Sequence, residues 1–111
     1  MILAKNYIKT GFSVEDADKL DVAIASEITQ DSIVIDFEGV KFFTTLFFNN
    51  ALAKYVLKLG PENYESKFKI RNLSDIGKTT YDHSLENAKE YYKLPPEKRE
   101  VQDEILSSNE E

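Results

Sequence analysis

Two carboxylates and one amide occupy the positions best suited to chemistry in this chain. Asp36 and Glu38 follow an apolar run that ends at Ile35, and Asn72 follows a second run with a strand-like pattern. Because Asp36 and Glu38 are two residues apart, they share a face in an extended chain, and paired carboxylates can hold a metal or transfer protons. One hypothesis is therefore a small ligand-binding protein or enzyme that uses Asp36, Glu38 and Asn72 at neighbouring strand ends.

A structural interpretation of the same acids competes with that hypothesis. An acid at a strand end typically accepts hydrogen bonds from loop amides, and no second cluster of acids or histidines accompanies this one. Gly77-Lys78-Thr79 resembles the end of a phosphate-binding loop, but Asn72 stands where that motif requires glycine. The chain has no cysteine, and hence neither a thiol nucleophile nor a thiolate metal site. We therefore predict a non-enzymatic protein with no metal and no cofactor.

A second candidate region is the pair of threonines before an aromatic helix. Either Thr44 or Thr45 could cap that helix, and a phosphate on Thr45 could be held by the free amides of the first turn. Phenylalanine is more abundant here than one helix face needs, so some rings are interpreted as anchors for another protein, although each ring taken singly is expected to pack in the core. Homodimerisation through this helix is an alternative. The predicted partner-binding residues are Phe43, Thr44, Thr45, Phe47 and Asn50.

The strands that position these residues follow from hydrophobic spacing. Ile33, Val34 and Ile35 are consecutive β-branched residues, which predicts a central strand covered on both faces, or nearly so. Residues 2–10 predict an outer strand. Residues 66–73 alternate between apolar and basic side chains, which predicts a half-buried strand with a solvated basic face.

Three helices are predicted to pack on this sheet. The first is capped by Ser13 and carries an apolar stripe of residues at helical spacing. The second runs over 45–59 and is stopped by Gly60-Pro61, and the third begins after Ser74 and ends near Leu94. The stripe of the first helix consists of Ala17, Leu20, Ile24 and Ile28. Strands and helices in this order predict an α/β fold.

The length of the chain indicates the number of domains, and its charge indicates which class of partner is disfavoured. A chain of 111 residues fits one domain, which we place at 1–93, followed at 94–111 by a C-terminal helix and an acidic tail. The net charge of −6 disfavours nucleic acid as a partner. The chain has neither a secretory apolar start nor a run of 18 apolar residues, so we expect a cytoplasmic protein without a membrane partner.

The residues around the central strand resemble a known family. Asp36-Phe37-Glu38-Gly39-Val40, together with Asp16-Ala17, Leu20 and Leu52, is similar to the bacterial STAS-like domain family of unknown function. That family is related in fold to the sulphate transporter and anti-sigma factor antagonist domain, and the resemblance covers about residues 10–80. It implies a small mixed sheet with helices packed mainly on one face. It also implies a role in protein–protein regulation, sometimes beside a histidine-kinase-like ATPase.

The chain departs from the related antagonists at their phosphorylation switch. Those proteins usually carry Asp-Ser-Ser-Gly at the start of the helix after the central strand, whereas this chain has Thr44-Thr45-Leu46-Phe47 there. The phosphorylated serine would fall on Leu46, or on Thr45 if the loop differs by one residue. The resemblance thus implies a non-enzymatic regulatory domain that binds another protein, with a kinase-like ATPase as a candidate partner.

Overall fold

The computed structural model describes residues 1–94, in which short parallel strands alternate with helices. The predicted α/β class is confirmed. The predicted C-terminal helix and acidic tail lie almost wholly outside the described residues. The strands are β1 (Ile2–Leu3), β2 (Thr10–Gly11), β3 (Ile33–Asp36), β4 (Lys41–Phe43) and β5 (Phe68–Arg71). The helices are α1 (Val14–Ser26), α2 (Thr45–Phe48), α3 (Lys54–Leu59), α4 (Pro61–Lys67) and α5 (Asp75–Lys93).

The main sheet has three strands in the order β1-β3-β5, so β3 is the central strand as predicted. All strand pairs of this sheet are parallel, and so is the pair in the smaller sheet. Within residues 1–94 the strands therefore do not form the mixed parallel and antiparallel sheet that the resemblance implies. Ile33 and Ile35 are fully buried under the helices, but Val34 is only half-buried. Val34 points to the opposite face, so residues 1–94 cover that face only in part, where the sequence predicts cover on both faces, or nearly so.

The predicted outer strand over 2–10 is two short strands separated by a turn. After Leu3 the chain enters a 3₁₀ turn at Ala4–Asn6, and the buried Ala4 accepts backbone hydrogen bonds from the amides of Tyr7 and Ile8. The chain then forms β2, which pairs with β4 in a separate two-stranded sheet. This turn carries the chain from one sheet to the other.

The first helix begins where the sequence predicts. The Ser13 side chain accepts from the Asp16 amide at 3.1 Å, and the Asp16 carboxylate accepts from the Ser13 amide at 3.2 Å, which completes a capping box. Ala17, Leu20 and Ile24 are buried as predicted. The helix therefore places its apolar stripe in the core, in contact with β2 and α2, and leaves Glu15, Asp18 and Lys19 in solvent.

Helical structure runs without a break over 45–59 but contains one π-helical segment, Asn49–Ala53. It stops at Gly60, whose φ of 89° is accessible to glycine and costly for other residues. The predicted stop is confirmed. Pro61 then begins α4, a helix that the sequence did not predict.

The last described helix, α5, is capped by the Ser74 side chain, which accepts from the Gly77 amide at 3.1 Å. It packs against α2, α3 and β4. Its end at Lys93, before Leu94, agrees with the predicted limit. In residues 1–94 no helix combines the length and apolar character needed to cross a membrane.

Candidate functional site

The start of α2 is tied to the end of β2 through the side chain of Thr44. Its hydroxyl oxygen accepts from the Phe47 amide at 3.1 Å, so Thr44 is the N-cap of the helix. The same hydroxyl donates to the Phe12 carbonyl oxygen at 2.6 Å. Capping was predicted for either threonine, and the structure assigns it to Thr44. Thr45 is the first residue of the helix and is half-buried.

The aromatic residues beside this cap form a core cluster. Phe47 and Phe48 are fully buried, and Phe43 is 8 % exposed. The Phe43 and Phe48 rings stack at a centroid distance of 5.2 Å, and Phe37 meets both rings edge-on at 5.7 and 6.1 Å. Phe43 and Phe47 are therefore core residues and not surface anchors, which corrects the expectation from the sequence. The core buries rings from β3, β4 and α2 together, which accounts for more phenylalanines than one helix face could bury.

Two glycines make room for the Phe43 ring. A Cβ atom at Gly11 would lie 2.7 Å from one ring carbon, and a Cβ at Gly77 would lie 2.8 Å from another. The ring is thus held between the backbones of β2 and α5. Gly77 in the Gly77-Lys78-Thr79 sequence has this packing role, which is unrelated to phosphate binding.

The exposed aromatics of this region are Phe12 and Phe42. Phe42 is 65 % exposed and Phe12 is 48 % exposed, and their rings lie 5.9 Å apart. Phe42 has a φ of 63°, an uncommon and strained conformation for a bulky side chain. We call these two residues the Phe12–Phe42 pair. Sequence reasoning did not single out Phe12, although the alternation of side chains after the buried Gly11 points it outward.

The other predicted contact residue, Asn50, lies within the π-helical segment. Its side-chain amide donates to the Leu46 carbonyl oxygen at 2.8 Å, and the residue is half-buried. The neighbouring Asn49 side chain accepts from the fully buried Ser84 hydroxyl of α5 at 2.6 Å. π-Helical turns often occur at functional sites, and sequence reasoning missed this one. The adjacent amides Asn49 and Asn50, between the apolar residues Phe48 and Ala51, were the available signal.

At the strand ends, the structure brings Asp36 and Asn72 together. One Asp36 carboxylate oxygen accepts from the Glu38 backbone amide at 2.9 Å and from the Asn72 side-chain amide at 3.0 Å. The Glu38 amide contributes most to holding the pKa of Asp36 below its usual value, and the Asn72 amide comes next. Glu38 itself is exposed. The loop amides thus engage Asp36 as the structural interpretation expects, while a ligand-binding role for Asp36, Glu38 and Asn72 stays a prediction.

Within residues 1–94 the strand-end residues Asp36, Glu38 and Asn72 belong neither to a metal-binding cluster nor to the depression at the start of α5. Over residues 1–94 no three or more His, Asp and Glu side chains are grouped so that they could hold a metal ion. An open depression of about 270 Å³ is lined by Asp75, Ile76, Thr79 and Thr80 at the start of α5. Its lining includes none of Asp36, Glu38 and Asn72.

Comparison with known families agrees with this architecture. The family model of a STAS-like domain of unknown function (DUF4325) matches residues 18–78, which is more than half of the chain. The chain belongs to this STAS-like family. The STAS-like match includes β3, β4, the Thr44 cap and the Asp36–Asn72 contact, and it ends just after Gly77. Neither the curated proteins nor the solved structures contain a significant match to the chain.

Proposed function

We propose that this STAS-like domain is a non-enzymatic regulatory protein that binds another protein through the surface before α2. The observation that carries the proposal is the Phe12–Phe42 pair, two exposed rings in contact beside the Thr44 cap. Burying one such ring stabilises a complex by about 1.5 to 3 kcal/mol, and aromatic anchors of this kind dominate many interfaces. Thr45 and Asn50, both half-buried, are proposed for the rim of the same surface.

The backbone around the pair is held in place, which favours binding. Thr44 fixes the Phe12 carbonyl, and the buried Phe43 ring fixes the residue next to Phe42. A surface that is ordered before binding loses less conformational entropy when the complex forms. The positive φ of Phe42 is maintained by these neighbours, as is common for strained residues at functional sites.

The proposed partner is a cytoplasmic histidine-kinase-like ATPase, the class implied by the resemblance. The test titrates the kinase-like ATPase encoded nearest to this gene in the host with the full chain and with a Phe12→Ser/Phe42→Ser variant. Val22→Ser is the matched control, because Val22 is 70 % exposed on α1. We expect the double variant to bind at least about 30-fold more weakly, the equivalent of 2 kcal/mol, and the control to bind normally.

Two outcomes would contradict this proposal. Equal affinity of the double variant and the wild type would exclude the Phe12–Phe42 pair as the contact. Absence of binding by the wild type would exclude the kinase-like ATPase as its partner. Light scattering on the free protein tests the alternative of a homodimer, which would show twice the monomer mass and return to monomer in the double variant.

Phosphorylation of Thr45 remains a separate part of the proposal. Its position at the start of a helix would place a phosphate near the free backbone amides of the first turn, which stabilise negative charge. Incubation with the kinase-like ATPase and ATP, followed by peptide mass spectrometry, should show one phosphate that is lost in Thr45→Val. A phosphate found on Thr44 or on no residue of 38–50 would rule this out.

A further inference from the structure

Strand β5 forms one edge of the three-stranded sheet. The sheet order β1-β3-β5 gives β5 a single strand neighbour, β3, within residues 1–94. Arg71 uses its backbone on that side, because its carbonyl oxygen accepts from the Phe37 amide at 2.9 Å. Backbone groups of successive strand residues point to alternate sides, so the amide and the carbonyl of Ile70 point away from β3. This edge of β5 therefore presents backbone groups that another strand could pair with.

The open part of the edge is short and is centred on Ile70. The backbone amide and carbonyl of Ile70 have no hydrogen-bond partner within residues 1–94. The Phe68 amide, which also points away from β3, donates to the Tyr64 carbonyl oxygen at the end of α4. Asn72, with a φ of 59°, ends the extended chain. An added strand would therefore pair with β5 mainly through the amide and carbonyl of Ile70.

The side chains beside this edge are basic. Lys69 and Arg71 are exposed, and strand alternation places both on the face of the sheet away from the helices. Among residues 1–94, neither of these two side chains forms an ion pair. The Lys69 ammonium instead donates to the Glu65 carbonyl oxygen at 3.3 Å. Two cations thus flank the edge, although the whole chain carries a net charge of −6.

The acids close to this edge do not cancel that positive charge. Asp36 lies across from Arg71 in the strand register, and it is one carboxylate against the two cations Lys69 and Arg71. The Glu65 carboxylate forms an ion pair of 2.6 Å with Lys89 of α5. The edge of β5 is therefore electrostatically complementary to carboxylates supplied by another molecule.

The other side of the edge is apolar. Phe68 is buried and Ile70 is half-buried, and both side chains pack against the core. In an added strand, the residues beside Lys69 and Arg71 would point away from the helices, and those beside Ile70 would extend the apolar face. The edge therefore fits a segment in which acidic and aliphatic residues alternate.

We propose that β5 binds an extended segment of another protein, with alternating acidic and aliphatic residues, by strand addition at this edge. The backbone of the segment pairs with the amide and carbonyl of Ile70, and its acids face Lys69 and Arg71. The backbone hydrogen bonds provide affinity, and the alternating side chains provide specificity. This second interaction surface is separate from the Phe12–Phe42 pair and does not depend on the proposed function.

A synthetic peptide tests the proposal on the full chain. The probe is an eight-residue peptide of alternating glutamate and valine, acetylated and amidated at its ends. We expect saturable binding in a nuclear magnetic resonance titration, with slower hydrogen exchange at the Ile70 amide. The amide of Val22 on α1 should exchange at an unchanged rate. A peptide of alternating lysine and valine should not bind, and neither should one with four glutamates followed by four valines.

Two double variants with the same net charge test the role of the cations. Lys69→Gln/Arg71→Gln should weaken binding of the probe about tenfold, because two ion pairs with its carboxylates are lost. Lys19→Gln/Lys78→Gln changes two other exposed lysines and should bind like the wild type. Phe12→Ser/Phe42→Ser should also bind the probe normally, so that failure of the proposed function remains distinguishable.

N-methylated versions of the probe separate strand addition from charge attraction alone, without any change to the protein. Only alternate residues of an added strand direct their amides toward β5. Methylation of the glutamate amides removes these donors if the peptide is parallel to β5, and methylation of the valine amides removes them if it is antiparallel. One of the two methylated peptides should therefore fail to bind.

Four results would overturn the proposal. The first is an absence of saturable binding by the wild type, and the second is equal affinity of Lys69→Gln/Arg71→Gln and the wild type. The third is binding of both methylated peptides as tightly as the unmodified probe. The fourth is slow exchange at Ile70 without peptide, together with a dimer mass in light scattering, which would assign this edge to a second copy of the chain.

Discussion

Thr44 and Phe12 are joined by a hydrogen bond of 2.6 Å between the threonine hydroxyl and the phenylalanine carbonyl oxygen. Because the same hydroxyl accepts from the Phe47 amide, one side chain links the end of β2 to the first turn of α2. These two hydrogen bonds therefore hold the backbone beside the exposed rings of the Phe12–Phe42 pair. They give the surface at the start of α2 a fixed backbone conformation, and they predict that Thr44 contributes measurably to stability.

Replacing Thr44 by valine should destabilise the domain. Thr44→Val removes the cap of α2 and the bond to Phe12 together, at a cost of about 1 to 2 kcal/mol in the free energy of unfolding. Thr44→Ser should cost much less because it keeps the hydroxyl. Urea denaturation of the three proteins measures the difference, and equal midpoints for wild type and Thr44→Val would contradict the assigned cap.

An alanine at position 77 should destabilise α5 even though alanine favours helices. Helix propensity alone predicts that Gly77→Ala gains about 1 kcal/mol. The new Cβ would lie 2.8 Å from the Phe43 ring, and overpacking of this kind costs about 1 to 3 kcal/mol. A double-mutant cycle with Phe43→Leu, measured by thermal unfolding, should show that the smaller side chain relieves the penalty. A clear gain in stability for Gly77→Ala alone would refute the close contact.

Two buried tyrosines should make the domain sensitive to alkali. The Tyr64 and Tyr81 hydroxyls share a hydrogen bond of 2.8 Å, and burial raises the pKa of Tyr81 to about 12 and that of Tyr64 well above its ordinary value. Their neutral forms are thus favoured in the folded state. The stability that they contribute is fully present below about pH 10, where unfolded tyrosine begins to ionise, and is lost as pH rises toward 12.

The pH dependence can be assigned by comparing tyrosine variants. Urea denaturation at a series of pH values above 9 should show a smaller loss of stability for Tyr81→Phe than for the wild type. Tyr7→Phe is the control, since Tyr7 is 44 % exposed and should behave like the wild type. An identical pH dependence in all three proteins would mean that the buried pair is not its source.

Asp21 of α1 contacts both Tyr55 and Lys54 of α3, and we expect the tyrosine to contribute more to stability than the ion pair with the lysine. Asp21 accepts from the Tyr55 hydroxyl at 2.5 Å and from the Lys54 ammonium at 2.8 Å. Tyr55 is 6 % exposed, so Tyr55→Phe should cost about 1 to 2 kcal/mol by leaving the carboxylate short of a donor. Lys54→Met should cost less than about 1 kcal/mol because that pair is solvated. Denaturation curves in which Lys54→Met is the more damaging change would reverse this ranking.

Several elements were predictable because their signals are local. The Ser13 capping box, the Ser74 cap and the Gly60-Pro61 stop depend on residues within one helical turn. The alternation around Phe68 and Ile70 likewise identifies the inner face of β5 without knowledge of its neighbours. Each of these features is where the sequence predicts it.

The candidate site was less predictable because it depends on contacts between distant residues. The sequence could not distinguish Phe42, which is exposed, from Phe43, which is buried. The difference comes from the space between Gly11 and Gly77, far apart in the chain. The π-helical segment also escaped prediction, and its Asn49 meets the buried Ser84 of α5. Both features arise only when separate elements pack together.

The sequence by itself determined the α/β class and the central position of β3, because hydrophobic periodicity and capping residues are local features of the sequence. It also determined the STAS-like resemblance, which depends on the residues around β3. Only the tertiary structure decided which aromatic rings are buried in the core and which are exposed. It also decided that Val34, in the middle of β3, is only half-buried within residues 1–94. The physical reason is that burial depends on the surface that another element supplies, and that surface comes from residues far away in sequence.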